Sequence, residues 1–223
     1  MALNVIITGS TGMVGKGLLL ECLRNDSVKS VLIINRKSIG IVHEKLTEVI
    51  HLNMFDLSEL EDKLVGYNVC YFCLGVSVVG LSESDYFKIT HELTLHFART
   101  LLNINPGFTF CYVSGAGTDS TEKGKTMWAR IKGKTENDLL SLGFKHAYMF
   151  RPAFIQPMDG IKSKTSIYNL IYFVLSPFYF ILKLLPKYVT STSQMSSAMI
   201  NVIELNSENK ILESIDINQL ANQ

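Results

Sequence analysis

Three glycines spaced three residues apart follow a short apolar run near the amino terminus. In such a turn Gly9 permits a tight bend, Gly12 lets backbone N–H groups approach an anion, and Gly15 lets a helix pack closely on a strand. A helix that begins there offers unpaired N–H donors and a partial positive charge. The turn predicts a diphosphate site formed by Gly9, Ser10, Thr11, Gly12, Met13, Val14 and Gly15. The alternative is a glycine-rich turn with a purely structural role.

Two cations end the next apolar run, Ile33-Ile34-Asn35-Arg36-Lys37. Units that bind NAD carry Asp or Glu here to accept from the ribose 2′-OH, whereas a cation neutralises a 2′-phosphate. The planar guanidinium of Arg36 suits a phosphate. We therefore expect NADP(H) to be preferred over NAD(H), with Arg36 and Lys37 at the phosphate and Asn53 at the adenine edge. The alternative is a solvated basic turn.

A second group of candidate residues consists of Ser114, Trp128 and Lys132. Ser114 ends a strand-like run and Lys132 follows on a helix, so one strand–loop–helix unit brings both to the sheet edge. Trp128 lies four residues before Lys132, on the same helical face. Indole does not ionise at usable pH and cannot act as a general acid or base. For Lys132, which lies in a basic stretch, the alternative is a solvated helical face.

Short β-rich runs alternate with helix-compatible runs, which is typical of parallel βαβ units. The predicted strands are Leu3–Thr8, Ser30–Asn35, Leu46–Leu52, Asn68–Leu74, Thr109–Ser114 and His146–Phe150. The predicted helices are Met13–Arg24, Leu57–Leu64, Glu83–Asn103 and Thr126–Ser141. The pattern predicts an α/β fold, a Rossmann doubly wound parallel sheet over residues 1–155. A small, mainly helical C-terminal annex over 156–223, within the same structural domain, would complete the substrate side.

Composition narrows the classes of protein further. Hydrophobic residues make up 47% and charged residues 18% of the 223, and the formal net charge of +1 gives no basis for binding nucleic acid. The amino terminus lacks the pattern of a secretory signal, so a cytoplasmic protein is expected.

Cys70 and Cys73 would lie on opposite faces of a strand, as buried thiols. His91 and His96 are five residues apart and share no helical face, so no metal is expected.

The segment 167–185 is apolar on nearly every side of any helix drawn through it. Asn169, Pro177 and Lys183 interrupt it, which argues against a full membrane span. Two short helices that cover the substrate pocket or form a homodimer contact are expected, and contact with a membrane surface is the alternative. An apolar cover implies an apolar small-molecule substrate.

With these residues in place, the chain resembles the atypical short-chain dehydrogenase/reductase family, in its epimerase-like and Tat-interacting-protein-like branch. The resemblance covers about residues 1–155, and its most specific part is the turn Thr8–Gly15. It implies that Ser114 orients a substrate carbonyl and that Lys132 holds the nicotinamide ribose. It also implies further cofactor contacts from Leu74, Gly75, Pro152, Phe154 and Ile155.

The same resemblance exposes a departure. Active members of the family carry a proton-transferring tyrosine four residues before the lysine, where this chain has Trp128. Tyr86 and Tyr168 are the candidate substitutes, and the alternative for each is an ordinary packing or surface role. We therefore expect an NADP(H)-dependent oxidoreductase that acts on a lipophilic carbonyl or alcohol. A non-catalytic NADP(H)-sensing regulator is the alternative, and a sugar-nucleotide epimerase is a weaker one, because the annex is short and apolar.

Overall fold

The computed structural model describes residues 2–158, 160 and 185–223. Its strands are β1 (Leu3–Thr8), β2 (Val28–Asn35), β3 (Leu46–Ile50), β4 (Val69–Phe72), β5 (Thr109–Val113), β6 (His146–Arg151), β7 (Phe154–Gln156), β8 (Val189–Ser191) and β9 (Ile211–Glu213). Its helices are α1 (Met13–Arg24), α2 (Glu61–Leu64), α3 (Glu83–Phe87), α4 (Leu93–Ile104), α5 (Met127–Ser141), α6 (Thr192–Glu204) and α7 (Ser214–Ala221). A 3₁₀ turn, Ser58–Leu60, precedes α2, and a π-helical turn, Lys88–Glu92, joins α3 to α4.

Seven strands form one parallel sheet in the order β3-β2-β1-β4-β5-β6-β9. Val5 pairs with Val31 on one side and with Val69 on the other, which makes β1 an interior strand of the sheet. The strand order reverses between β1 and β4, and open α/β sheets bind ligands at such a switch point. The predicted α/β Rossmann fold is confirmed.

Two apolar layers cover the sheet because its strands are buried on both faces. One layer packs β-strand side chains such as Val5 and Tyr71 against α1, α6 and α7. The other packs Ile6 and Phe72 against α2, α4 and α5. Cys70 belongs to the second layer and Cys73 packs against the first, as their odd spacing along the strand predicts.

The carboxyl-terminal residues differ from the predicted annex in one respect. The annex is predicted to be mainly helical, but Ile211–Glu213 forms β9 and pairs with β6, so residues beyond 155 supply the seventh strand of the central sheet. Helix α6 begins with a capping box, in which the Ser191 hydroxyl accepts from the Gln194 N–H, and it packs beside α1. A strand of three residues carries too little period-2 pattern to be distinguished from a loop by sequence.

The predicted hydrophobic segment 167–185 lies outside the described residues, apart from Leu185. Its expected roles as pocket cover, homodimer contact or membrane-surface contact therefore stay predictions. Among the described residues, no helix is long and apolar enough to cross a bilayer.

If β9 is integral to the core, truncating its buried side chain destabilises the whole protein. Leu212 is 1% exposed. We expect Leu212→Ala to lower the free energy of unfolding by about 3 kcal/mol, because it leaves a cavity between β6 and α7. Urea unfolding followed by circular dichroism measures this change. Ile215→Ala, at a position 40% exposed on α7, is the control and should stay within about 0.5 kcal/mol of the parent.

Candidate functional site

The glycine turn after β1 has the close contacts that its spacing predicts. Gly9 has a φ of +70°, and a Cβ there would lie 2.6 Å from the Cys73 carbonyl carbon. A Cβ at Gly15 would clash with the Gly9 carbonyl oxygen, while Gly12 donates its N–H to that oxygen at 2.8 Å. The turn therefore packs directly on the end of β4. A larger side chain at Gly9 would push the ends of β1 and β4 apart, and one at Gly15 would push α1 away from the turn.

A groove of about 120 Å³ opens beside this turn. Its walls come from the ends of neighbouring strands and the loop after β3, and its lining residues are Gly9, Thr11, Gly12, Ile34, Asn35, Arg36, Met54, Cys73, Leu74 and Gly75. Gly12 is the N-cap of α1, and no side chain among the described residues caps that helix. Its first N–H groups are therefore available to an anion in the groove. Residues with no Cβ and an uncapped helix fit a dinucleotide diphosphate.

Ser10 contributes to this site only through its main chain. Its hydroxyl is fully buried and donates to Asn35 Oδ1 at 2.9 Å, and Asn35 Nδ2 donates to Glu48 Oε1 at 3.0 Å. Glu48 also accepts from Ser38 Oγ (2.5 Å) and from the Ile39 N–H (3.0 Å). Burial raises the pKa of Glu48, but these three hydrogen bonds outweigh it and hold the pKa below its usual value. The chain from Ser10 to Glu48 thus orders the loop after β2.

That loop presents the two predicted cations. Arg36 is exposed and lines the groove, and Lys37 is exposed next to it. Asn53, which is expected at the adenine edge, does not line the groove. Asn53 Oδ1 accepts from the Phe55 N–H at 3.2 Å, and among the described residues Met54, rather than Asn53, lines the groove. An asparagine side chain commonly accepts a hydrogen bond from the backbone N–H two residues later in the chain. In this local turn the side-chain oxygen of Asn53 is already engaged in such a bond.

The predicted contacts at the end of β4 lie in the same groove. Leu74 and Gly75 line it together with Cys73, which is part of the same matching run, Cys73-Leu74-Gly75, but is not among the predicted cofactor contacts. Burial raises the pKa of Cys73 to about 12, so its sulfur is a neutral thiol at physiological pH. The position of Cys73, directly after a strand next to the switch point, was the signal that could have placed it here.

Lys132 and Trp128 lie on one face of α5, as predicted. Lys132 Nζ donates to the Ser114 carbonyl oxygen and lies 6.0 Å from the centre of the Trp128 ring. Burial lowers the pKa of Lys132 to about 8, and the nearby charge of Glu136 acts in the opposite direction. The Trp128 ring also covers Gly117, where a Cβ would lie 3.5 Å from its Cη2 atom. Lys132 is therefore a cation that changes its charge near physiological pH.

The Ser114 hydroxyl does not face the same way as its carbonyl. Ser114 is 6% exposed, and its Oγ donates to Glu136 Oε1 at 2.5 Å and lies 3.1 Å from the Phe150 carbonyl oxygen. The expected role of this hydroxyl, orienting a substrate oxygen, does not fit, because its one proton is already donated to a carboxylate inside the protein. Sequence spacing places a residue at an edge but not the direction of its side chain.

The segment after β6 meets Lys132 across Gly115. A Cβ at Gly115 would lie 3.8 Å from both Lys132 Nζ and the Pro152 carbonyl oxygen, and that oxygen accepts from the Ala116 N–H at 2.9 Å. Phe154 and Ile155 follow in β7, where Phe154 is partly buried and Ile155 is 9% exposed. The structure therefore brings Lys132, Pro152 and the loop after β5 together at the edge of the sheet.

The two groups of residues lie at one edge, a short distance apart. Strands β1, β4 and β5 are neighbours, so the glycine turn and Ser114 are separated by two strand spacings, or about 10 Å. An extended dinucleotide could bridge them, with its diphosphate at α1 and its nicotinamide end near Lys132. Bound in this way, it would supply hydride chemistry.

Of the two candidate substitutes for the missing tyrosine, the described structure places only Tyr86, and it is buried. Tyr86 is 2% exposed, and burial raises its pKa, with a hydrogen bond to Thr90 acting in the opposite direction. Tyr168 lies outside the described residues. His91 packs on Phe87 and contacts Asp138 Oδ2 at 2.7 Å. The described residues contain no group of three His, Cys, Asp or Glu side chains placed to bind a metal.

Comparison with known proteins gives distant relatives in sequence. No protein-family model matches the chain. The mitochondrial protein fmp52 of Emericella nidulans is 27% identical over 159 residues, which are 68% of this chain and 66% of that protein. The mitochondrial protein FMP52 of Saccharomyces cerevisiae is 25% identical over 152 residues, 67% of this chain and 64% of that protein. The matched part thus spans just under two thirds of the length of these relatives.

These names contradict one expectation. The cytoplasmic location inferred from the amino terminus is wrong by this comparison, because the relatives from Emericella, Chaetomium, Candida and Saccharomyces are all named mitochondrial. The absence of a secretory signal pattern argues only against secretion and does not distinguish the cytoplasm from the mitochondrion.

Solved structures give close matches in fold. UDP-N-acetylglucosamine 4-epimerase from Methanobrevibacter ruminantium superposes with a TM-score of 0.65 at 17% identity, covering 94% of this chain and 75% of that one. A short-chain dehydrogenase family protein from Francisella tularensis gives 0.61 at 14% identity, covering 90% of both chains. The Bordetella bronchiseptica enzyme WbmH, solved with NAD⁺, gives 0.62 at 16% identity, covering 91% and 72%. The chain therefore has the fold of short-chain dehydrogenases/reductases and epimerases, which the resemblance in sequence predicted.

The glycine turn offers a direct test of this packing. We expect Gly9→Ala to lower the free energy of unfolding by about 2 kcal/mol or more, since it combines a positive φ with a clash against the Cys73 backbone. Gly75→Ala is the matched control, because open space surrounds the position of its Cβ in the described structure, and it should change the value by less than about 0.5 kcal/mol. Equal losses in urea unfolding of both variants would contradict the close approach.

Proposed function

We propose that this protein binds NADP(H) in the groove at the switch point and is an oxidoreductase that acts on a lipophilic carbonyl or alcohol. The observation that carries the proposal is the uncapped start of α1, set against two glycines that leave no side chain in the way. The fold is one that dehydrogenases and epimerases share, which supports a nicotinamide cofactor. The names of the curated relatives favour a mitochondrial setting over a cytoplasmic one.

Preference for the 2′-phosphate is supported by the charge at the end of β2. Arg36 is exposed at the groove, and the residue before it is Asn35, which carries no charge to repel a phosphate. The Glu48 carboxylate is close to this loop, but hydrogen bonds from Asn35, Ser38 and Ile39 occupy both of its oxygens. Arg36 can therefore form charge-assisted hydrogen bonds with a phosphate at the groove mouth.

At the Lys132 side of the site, the residues of this chain would bind and orient the nicotinamide end of the cofactor. A protonated Lys132 would donate to ribose hydroxyls, and Trp128 would cover the pocket beside Gly117. Position 128 holds no tyrosine that could transfer a proton to a substrate oxygen, and Tyr86 is buried. Among the residues that the structure describes at this edge, Lys132 itself, with a pKa of about 8, would be a titratable group close to that oxygen.

A second function is favoured by the same tryptophan. A protein that binds NADP(H) without oxidising or reducing it needs the groove and Lys132 but no proton donor. Trp128 is compatible with this function, because its indole N–H does not ionise. In that case the protein would respond to the redox state of its cofactor. An epimerase acting on a sugar nucleotide is less well supported, although structural neighbours include such enzymes.

Cofactor choice is tested by fluorescence, because the chain has one tryptophan and it lies beside Lys132. We expect NADPH to quench Trp128 emission at lower concentration than NADH. Arg36→Ala should raise the Kd for NADPH by about tenfold or more through the loss of charge-assisted hydrogen bonds, and the Kd for NADH by much less. Arg99→Ala is the matched control, because it removes an exposed arginine of α4 that does not line the groove. Equal losses for both cofactors in Arg36→Ala would rule out the assignment of the 2′-phosphate.

The oxidoreductase and the regulator are separated by turnover. Protein with bound NADPH is offered a panel of aliphatic and aromatic aldehydes, ketones and quinones, and absorbance at the reduced nicotinamide band is followed. We expect consumption of NADPH that Lys132→Ala reduces by at least about a hundredfold, the range of a lost acid–base and positioning group. Binding of NADPH without consumption across the panel would favour the regulator.

A further inference from the structure

Ser114 connects two environments through its two oxygens. Its hydroxyl donates inward to Glu136, while its main-chain carbonyl accepts from Lys132 Nζ at the site. The Ser114 N–H donates to the Phe150 carbonyl oxygen at 2.9 Å, which fixes the backbone at this point. One residue thus joins a buried carboxylate to the cation of the site.

The inward partner is part of a buried ion pair. Glu136 is 0% exposed and Arg151 is 9% exposed, and Arg151 Nε donates to both carboxylate oxygens at 3.1 Å. The Arg151 Nη2 group also donates to Glu136 and, at 2.5 Å, to Ser120 Oγ. The pair therefore links α5, the end of β6 and the loop after β5. A buried charge that lost its partner would be strongly disfavoured, so this geometry is held firmly.

Glu136 lies one helical turn beyond Lys132 on α5, on the same face. Its negative charge favours the protonated form of Lys132, whereas burial of the amine favours the neutral form. Lys132 is therefore held in place by the Ser114 carbonyl and acted on electrostatically by the carboxylate behind it. Gly133 allows this arrangement, because any Cβ there would clash with the Asp119 carbonyl of the loop.

We propose that Ser114, Glu136 and Arg151 form a positioning unit that fixes Lys132 for the cofactor ribose and keeps it protonated. In this unit Ser114 acts through Lys132 and does not touch the substrate. The proposal rests on the proposed function for what Lys132 contacts, but the coupling between Glu136 and Lys132 is independent of any cofactor.

The first experiment measures Lys132 without a cofactor. The protein is labelled with trace acetic anhydride between pH 6 and pH 10, and acetylation of the peptide that contains Lys132 is quantified by mass spectrometry. The parent should titrate near pH 8. Glu136→Gln should lower that midpoint by about one pH unit, the effect of losing an opposite charge nearby. An unchanged midpoint would overturn the proposal.

Glu136→Gln leaves a buried guanidinium unpaired, so a second variant accompanies it. The double substitution Glu136→Gln with Arg151→Gln removes both charges and leaves two amides that can bond to each other. It should also lower the Lys132 midpoint, because Glu136 is the charged neighbour that acts on Lys132. Circular dichroism checks that each variant is folded. A midpoint that moves upward in the double variant would overturn the proposal.

The second experiment separates a positioning serine from a substrate contact. Ser114→Ala should raise the Kd for NADPH by about threefold to tenfold, because loss of the hydroxyl's hydrogen bond to Glu136 loosens the Ser114 backbone whose carbonyl holds Lys132. A serine that touched only substrate would leave this Kd unchanged and lower kcat, which would overturn the proposal. Ser196→Ala is the matched control, since Ser196 is 1% exposed and its hydroxyl donates within α6 to the Thr192 carbonyl oxygen at 2.8 Å.

The two experiments distinguish failure of this unit from failure of the proposed function. If the parent protein binds no NADPH, the proposed function is wrong, and the acetylation midpoints still decide whether Glu136 acts on Lys132. If NADPH binds but the midpoints of parent and Glu136→Gln coincide, the positioning unit is wrong and the cofactor assignment is unaffected.

Discussion

A carboxylate with no contact with solvent must be paired, and the pairing of Glu136 with Arg151 sets the geometry of half of the site. The pair holds α5 against the end of β6 and holds the loop after β5 through Ser114 and Ser120. Breaking such a pair by removing one partner typically costs about 3–5 kcal/mol, a large part of the stability of a domain. The positions of Lys132 and Trp128 follow from where this pair anchors their helix.

The other half of the site depends on close packing of backbone. Gly9 and Gly15 bring β1, α1 and the end of β4 so close together that a methyl group does not fit. This contact leaves a groove that is lined by the glycine turn and by Arg36. The buried ion pair fixes the Lys132 end of the proposed cofactor site, and the close packing of the glycines fixes the diphosphate end. The parallel sheet sets the distance between the two ends.

Much of this could be predicted from the sequence because the determinants are local. The alternation of apolar runs with helix-compatible runs predicted the parallel sheet, and the spacing of three glycines predicted the first turn. The limits of the prediction have equally physical causes. The direction of the Ser114 side chain depends on a partner 22 residues away, Asn53 is taken up by a local turn, and β9 is too short to show a period. Sequence spacing placed Ser114 at the right edge of the sheet but could not show which way its side chain faces.

The last strand of the sheet and the helices around it have a consequence for how the chain is made. Helix α1 precedes α6 by about 180 residues in the chain, yet its apolar face packs against that helix. Contacts between such distant segments form late and slow the closure of a fold. Leu18, Leu19 and Cys22 therefore lack part of their packing until α6 has been synthesised.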